Sequence, residues 1–198
     1  MKRILNQAIV YNFYQNLIGS RRYLRLYSEN FIQAKDGQKI LDIACGTGNI
    51  IEFLPKNIDY TGVDYSLKYI EFCKKKFPQF SFICANSFED MGLDMKYDII
   101  ICEALISNGS DYQVMKLFES IKRFSTKSTK ILISEMNYTL ETPFVEKKLY
   151  LSERGSYLRY RDEYINLISE YFNIKKYTIV EKPYYIPYQK IVFECELK

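Results

Sequence analysis

The chain is 198 residues long, 47% hydrophobic and 26% charged, which suits one sizeable core and excludes a disordered or fibrous protein. No apolar run long enough to span a bilayer is free of charge, and the opening "MKRILNQAIVYNFYQNLIG" lacks a small-residue cleavage signal, so a cytoplasmic protein without a membrane partner is expected. The net charge of +4 is mild and its basic residues alternate with acids, which argues against a nucleic-acid surface.

The first 30 residues read as one or two aromatic amphipathic helices with Gly19 between them. "QKILDIA" (38–44) then opens a series of short runs rich in branched and aromatic residues, continued by "YTGVD" (60–64), "FSFICA" (80–85), "YDIIICEA" (97–104) and "TKILISEM" (129–136). Several are apolar throughout, as parallel strands covered on both faces tend to be. Helical patterns separate them. Ser66 can cap "LKYIEFCKKKF", where Leu67, Ile70, Cys73 and Phe77 follow one face; Val114, Leu117, Phe118, Ile121 and Phe124 do so between 112 and 125. Residues 137–158 form a long irregular stretch, after which Asp162 can cap a helix carrying Tyr164, Ile165, Ile168 and Phe172. Two strand candidates, "IKKYTIVE" and "QKIVFECEL", end the sequence. The connection between them, "KPYYIP", is too short for a parallel crossover, so the last strand should run antiparallel beside the sixth. Strands alternating with helices predict an α/β sheet with right-handed crossovers in a single domain, 1–198.

The first strand runs into "ILDIACGTGN", where Gly46 and Gly48 allow a tight turn and a close approach of backbone to ligand. A dinucleotide fingerprint needs a third glycine where Ile51 stands, and no Gly-Lys-Ser/Thr follows to make a phosphate loop. What remains is Asp42 before the turn, small Ala44 inside it, and a second acid, Asp64, ending the next strand. A carboxylate in that position can accept hydrogen bonds from both hydroxyls of a ribose, so the expected ligand is a nucleoside at the C-terminal edge of the sheet.

"ILDIACGTGN" followed by "YTGVDYS", "FICANSFED" and "YDIIICEAL" resembles the class I S-adenosylmethionine-dependent methyltransferases, over roughly residues 38–136. The resemblance implies a Rossmann-like seven-stranded fold of order 3-2-1-4-5-7-6 with the seventh strand antiparallel, and S-adenosylmethionine as cofactor. It places Ala44, Gly46 and Gly48 under the methionine part, Asp42 at its amino end, Asp64 at the ribose hydroxyls, and Asn86 and Ser87 at the adenine, with Tyr65 also among the cofactor-binding residues. Ala44 stands where the family has its first glycine, a departure the backbone should tolerate at negative φ. Bland roles remain open: Asp42 can cap the turn, Asp64 can start the next helix, and Asn86 and Ser87 can form a turn and N-cap.

Methyl transfer from a sulfonium needs an in-line approach, so holding two ligands in register supplies much of the catalysis. With no histidine in the chain, imidazole chemistry is absent, and a base would come from Glu103, Glu135 or a tyrosine. Either glutamate can instead bind backbone amides at its strand end. Five cysteines without a C-x-x-C pair read as free thiols, with Cys73 and Cys84 buried. The segment "EALISNGSDY" replaces the histidine-containing loop of many small-molecule members. Residues 1–30 form a helical cap and 137–161 a lid insertion over the acceptor, with Tyr14 and Arg22 at the cofactor end and Tyr157 and Arg159, alongside Glu103, at the acceptor. Glu103 lies close enough to the crevice to touch the cofactor as well. The expected reaction is methyl transfer to a small metabolite; the alternatives are an RNA or protein methyltransferase and a non-catalytic binder of the same cofactor.

Overall fold

The computed structural model describes Phe13, Gln15 and residues 17–152 and 156–198. Seven strands form one sheet: β1 (Lys39–Ile43), β2 (Asp59–Asp64), β3 (Ser81–Cys84), β4 (Ile99–Glu103), β5 (Lys130–Met136), β6 (Phe172–Glu181) and β7 (Gln189–Leu197). Their spatial order is β3-β2-β1-β4-β5-β7-β6, the order the resemblance implies. All pairs from β3 to β5 are parallel, whereas β7 runs antiparallel to both β5 and β6. Residues 182–188 are the reason: they can close a hairpin but cannot carry the chain back across the sheet.

Side-chain alternation divides β1 between two cores. Leu41 and Ile43 pack with Phe118, Ile121 and Tyr164 under helices α3 (Asp111–Phe124) and α5 (Arg161–Tyr171). Ile40 joins Tyr23, Tyr27 and Ile70 under α1 (Ser20–Tyr27) and α2 (Leu67–Lys76). The apolar stripe expected of α3 is buried throughout, and the Ser110 and Gln113 side chains close its first turn as a capping box. Ser66 caps α2 by accepting from the Tyr69 amide at 3.4 Å. Among the described residues no helix is long and apolar enough to cross a membrane.

Several local expectations change. Gly19 does separate helical residues, Phe13, Gln15 and Leu17 before it and α1 after it, and it is the left-handed N-cap of α1, held against the Tyr185 ring. Leu67 does not join the buried face of α2, because it occupies the first helical position at the open end of the sheet. Cys84 is exposed, since it ends the edge strand β3, while Cys73 is buried as expected and all five thiols are free. Asp162 lies inside the first turn of α5; the N-cap is Tyr160, whose amide donates to Glu163 at 2.6 Å. The irregular stretch after β5 contains α4 (Phe144–Ser152), started by Pro143, whose missing amide costs nothing there. Its exposed Phe144 and Val145 gave no amphipathic stripe to read.

Ala44 adopts φ of 66° rather than a negative value, and Ala104, in the matching position after β4, adopts 50°. Left-handed backbone at a residue with a Cβ costs roughly 1 to 2 kcal/mol. The strain sits on the two adjacent strands whose ends open the sheet. Replacing Ala44 with glycine should therefore raise stability by about 1 kcal/mol in urea denaturation, the relief being partly offset by greater freedom of the unfolded chain.

Candidate functional site

A cleft of about 750 Å³ opens at the C-terminal edge of the parallel strands. One wall comes from the turn after β1, the end of β2 and the loop after β3, where Ala44, Gly46, Asp64, Tyr65, Asn86 and Ser87 all line it. Each sits at a strand end because parallel strands deliver their C-termini to the same edge. Gly46 and Gly48 have φ of 56° and 68°. A Cβ on Gly48 would press on Ile51, Cys73 and Phe77 at 3.2 to 3.3 Å, whereas one on Gly46 would meet only open space. Gly48 thus serves packing, and Gly46 keeps the floor of the cleft bare.

Asp64 is 5% exposed, and its two oxygens accept from backbone amides, Oδ2 from Gly46 at 2.9 Å and Oδ1 from Ser66 at 2.8 Å. The helix-start role and the cleft position therefore coexist. Asp42 lies on the α1–α2 face of β1 and accepts from the Tyr60 hydroxyl at 2.6 Å. Burial pushes its carboxyl up to about 7, with Glu103 and Asp64 adding repulsion and the Tyr60 bond opposing both. Asn86 forms a local turn, accepting from the Phe88 amide at 3.1 Å and donating to Glu89 at 2.9 Å, while Ser87 is buried beside it.

The opposite wall is tyrosine-rich. Tyr150, Tyr184 and Tyr188 line it together with Leu24, Leu158 and Lys190. Tyr150 stacks on Tyr188 at 5.2 Å between centroids, Tyr184 meets Tyr188 at 5.9 Å, and Tyr184 meets Tyr23 of α1 at 5.3 Å. Burial pushes the Tyr150 hydroxyl up to about 12, so it is a poor proton acceptor near neutral pH. Glu103, at the end of β4, stands where the two walls meet. Lys190 reaches across β5 and donates to Glu103 at 3.1 Å, with its ammonium 5.3 Å from the centre of the Tyr23 ring.

The loop between β4 and α3 is held from two sides. Glu135, fully buried, accepts from the amides of Ile106 at 2.7 Å and Ser107 at 3.4 Å, and burial raises its carboxyl against the pull of Lys190. It takes the amide-binding role and does not line the cleft. Arg159 does not face the acceptor either. Its guanidinium donates to the carbonyls of Ile106 at 2.7 Å, Gly109 at 2.8 Å and Tyr157 at 3.1 Å, and to Asp111 at 2.6 Å. Tyr157 is half exposed outside the cleft and touches the loop through its backbone, its amide donating to Ser107 at 3.1 Å. Arg22 is exposed on the face of α1 opposite Tyr23 and Leu24, away from the cofactor end. Tyr14 lies outside the described residues.

Sequence reasoning missed Lys190 and the wall of Tyr150, Tyr184 and Tyr188. A lysine entering the final apolar run was the available signal, since on the covered face of a strand it requires a partner. Truncating Arg159 to alanine should lower stability by about 2 to 4 kcal/mol by stranding carbonyls of the loop, with the loss read by urea denaturation. Affinity for a ligand at the glycine turn should hardly change, because among the described residues Arg159 bonds only Ile106, Tyr157, Gly109, Asp111 and Tyr164.

Residues 40–127 match the family described as a methyltransferase domain. The chain is 32% identical over 130 residues to malonyl-[acyl-carrier protein] O-methyltransferase from Priestia megaterium, covering 61% of this chain and 46% of that protein. It is 25% identical over 160 residues to phosphoethanolamine N-methyltransferase 3 from Arabidopsis thaliana, covering 69% of this chain and 32% of the relative. The chain thus spans less than half the length of these curated relatives. A solved S-adenosylmethionine-dependent methyltransferase from Archaeoglobus fulgidus shares the fold at a TM-score of 0.73 and 16% identity, over 94% of this chain and 99% of that one. Residues 40–127 thus carry a methyltransferase domain, with the four motifs of the class I S-adenosylmethionine-dependent methyltransferases in order on a sheet of the same topology.

Proposed function

We propose that this protein transfers the methyl group of S-adenosylmethionine to a nucleophilic atom of a small metabolite held in the cleft. The observation that carries this reading is the bare Gly46 floor between Asp42 and Asp64, opening toward a separate tyrosine wall. One wall suits a nucleoside, and the other leaves room for a second molecule. The relatives are named for an oxygen and a nitrogen acceptor, which supports the reaction class and leaves the acceptor to this chain's own wall.

S-adenosylmethionine supplies, when bound, a sulfonium methyl open to displacement from one side. The protein's part is to hold and orient. Asp64 meets the ribose hydroxyls while its amide bonds keep the turn in place, Tyr65 covers the adenosine, and Ser87 with the Asn86 turn borders the base. Asp42 and Glu103 put negative charge near a cationic ligand. The stacked tyrosines and the α1 cap exclude water from the acceptor side. In this reading the described residues form one catalytic domain, α1 belongs to its cap, and Tyr150 and Leu158 contribute cover from the segment after β5, while residues 1–12 of the expected cap lie outside the described residues.

Titration calorimetry tests it. S-adenosylhomocysteine should bind with a dissociation constant on the order of 1 μM to 1 mM, the usual range for enzyme ligands. Asp64→Ala should weaken it about 10- to 100-fold through the loss of charge-assisted bonds. Unchanged affinity in a folded variant would remove the ribose assignment.

The raised carboxyl of Asp42 gives a second test. A cationic donor favours the ionised form, so binding releases a proton wherever free Asp42 is still protonated. Since its value is about 7, affinity for S-adenosylmethionine should rise by up to about tenfold from pH 6 to pH 8 and then level off. Asp42→Asn should flatten that rise. A wild-type affinity that falls over the same interval would show that Asp42 does not sense the donor.

A further inference from the structure

We infer that Lys190 is a positioning residue that holds Glu103 toward the reaction centre, where the Glu103 carboxylate receives the proton of an amine or hydroxyl nucleophile. This inference rests on the function proposed above and narrows its acceptor to a group that carries a proton.

Glu103 ends β4, the strand between the donor turn after β1 and the strands β5 and β7, which are flanked in sequence by α4 with Tyr150 and by the hairpin with Tyr184 and Tyr188. It is therefore at the junction of the two walls. The other acids near the cleft are committed elsewhere. Asp64 accepts from Gly46 and Ser66, Asp42 accepts from Tyr60, and Glu135 accepts from Ile106 and Ser107 behind the loop. Glu103 is instead bonded to a cation, the Lys190 ammonium, at 3.1 Å through Oε1.

Lys190 is the one cation among the described residues that line the cleft. Its side chain is 5% exposed, against 23% for that of Glu103, so the lysine forms the buried end of the pair and the carboxylate the open end. β7 starts at this edge because it runs antiparallel, and Lys190 pairs in register with Met136 of β5. From there its stem passes beneath the cap, with the Tyr23 ring above its ammonium and the Tyr23 hydroxyl tied to Ser134 at 2.7 Å. A buried ammonium salt-bridged to one carboxylate, with Glu135 attracting it from further off, is anchored strongly, because leaving the pair would break its direct ion contact. The consequence falls on Glu103: one oxygen is pinned by Lys190, and the carboxylate is directed into the cleft.

The proton balance is simple. A nucleophile of the form N–H or O–H forms its new bond to the methyl carbon as the sulfur–carbon bond breaks. Its proton passes to Glu103, and the bonding pair leaves with the sulfur of S-adenosylhomocysteine.

The test needs no knowledge of the acceptor. An analogue of the donor in which a carbon-borne amine replaces the sulfonium and its methyl places an ammonium at the reaction centre. Calorimetry compares this analogue with S-adenosylhomocysteine on four proteins: wild type, Glu103→Gln, Lys190→Met and Lys190→Arg. The expected result is that wild type prefers the amine analogue by about 10- to 100-fold, the range of one charge-assisted bond. Glu103→Gln and Lys190→Met should lose most of that preference, read as the ratio of the two affinities within each protein, and Lys190→Arg should retain it. No preference in wild type, or full preference in Lys190→Met, overturns the inference. A preference that is lost in Lys190→Arg as well, with the fold intact by circular dichroism, overturns the positioning role. Failure of S-adenosylhomocysteine to bind wild type would instead strike the proposed function itself.

Discussion

Both oxygens of the Asp64 carboxylate are engaged by backbone amides, and through them one side chain joins the turn after β1 to the start of α2. That turn needs an external hold. Ala44, Gly46 and Gly48 all have positive φ, and no regular ladder of hydrogen bonds stabilises such a run. The Cys45 amide is tied to the Val63 carbonyl at 2.9 Å, and Asp64 supplies the next bond along the turn. A carboxylate accepting amide hydrogens is among the stronger hydrogen-bonding arrangements, so it can offset the strain at Ala44. The glycine wall of the cleft is then a consequence of the order of strands: β2 lies beside β1, and its last residue arrives level with the turn.

The other half of the cleft is built differently. Glu135 and Arg159 hold the loop after β4 through its own peptide groups, from the amide side and the carbonyl side of Ile106. Neither charge needs to reach a ligand. Their work is to fix a loop whose other face borders the cleft, and both groups are buried enough for each bond to matter. Beyond the loop, the wall consists of rings packed on rings, from Tyr23 through Tyr184 and Tyr188 to Tyr150. This chain of contacts also docks α1, because Tyr23 bonds Ser134 of β5 and covers Lys190 of β7. Helix α1 and the tyrosine wall are therefore one packed unit.

Periodicity and spacing determined the strands, the antiparallel last strand and the glycine turn flanked by Asp42 and Asp64. Strand runs of branched residues, a hairpin too short for a crossover, and glycines beside acids are local features, and local chemistry is what a sequence displays. The same reasoning explains the errors. A tyrosine or arginine offers similar side-chain chemistry whether it faces a ligand or a neighbouring loop. Only the tertiary structure turned Arg159 toward the carbonyls of Ile106 and Gly109, put Arg22 on the outer face of α1, and gave Ala44 a positive φ. It alone also brought Lys190 to Glu103, two residues far apart in the chain and separated by β5 in the sheet. The physical reason is the antiparallel return of β7: it delivers the start of the last strand to the edge where the parallel strands end, and no local pattern around either residue records that meeting.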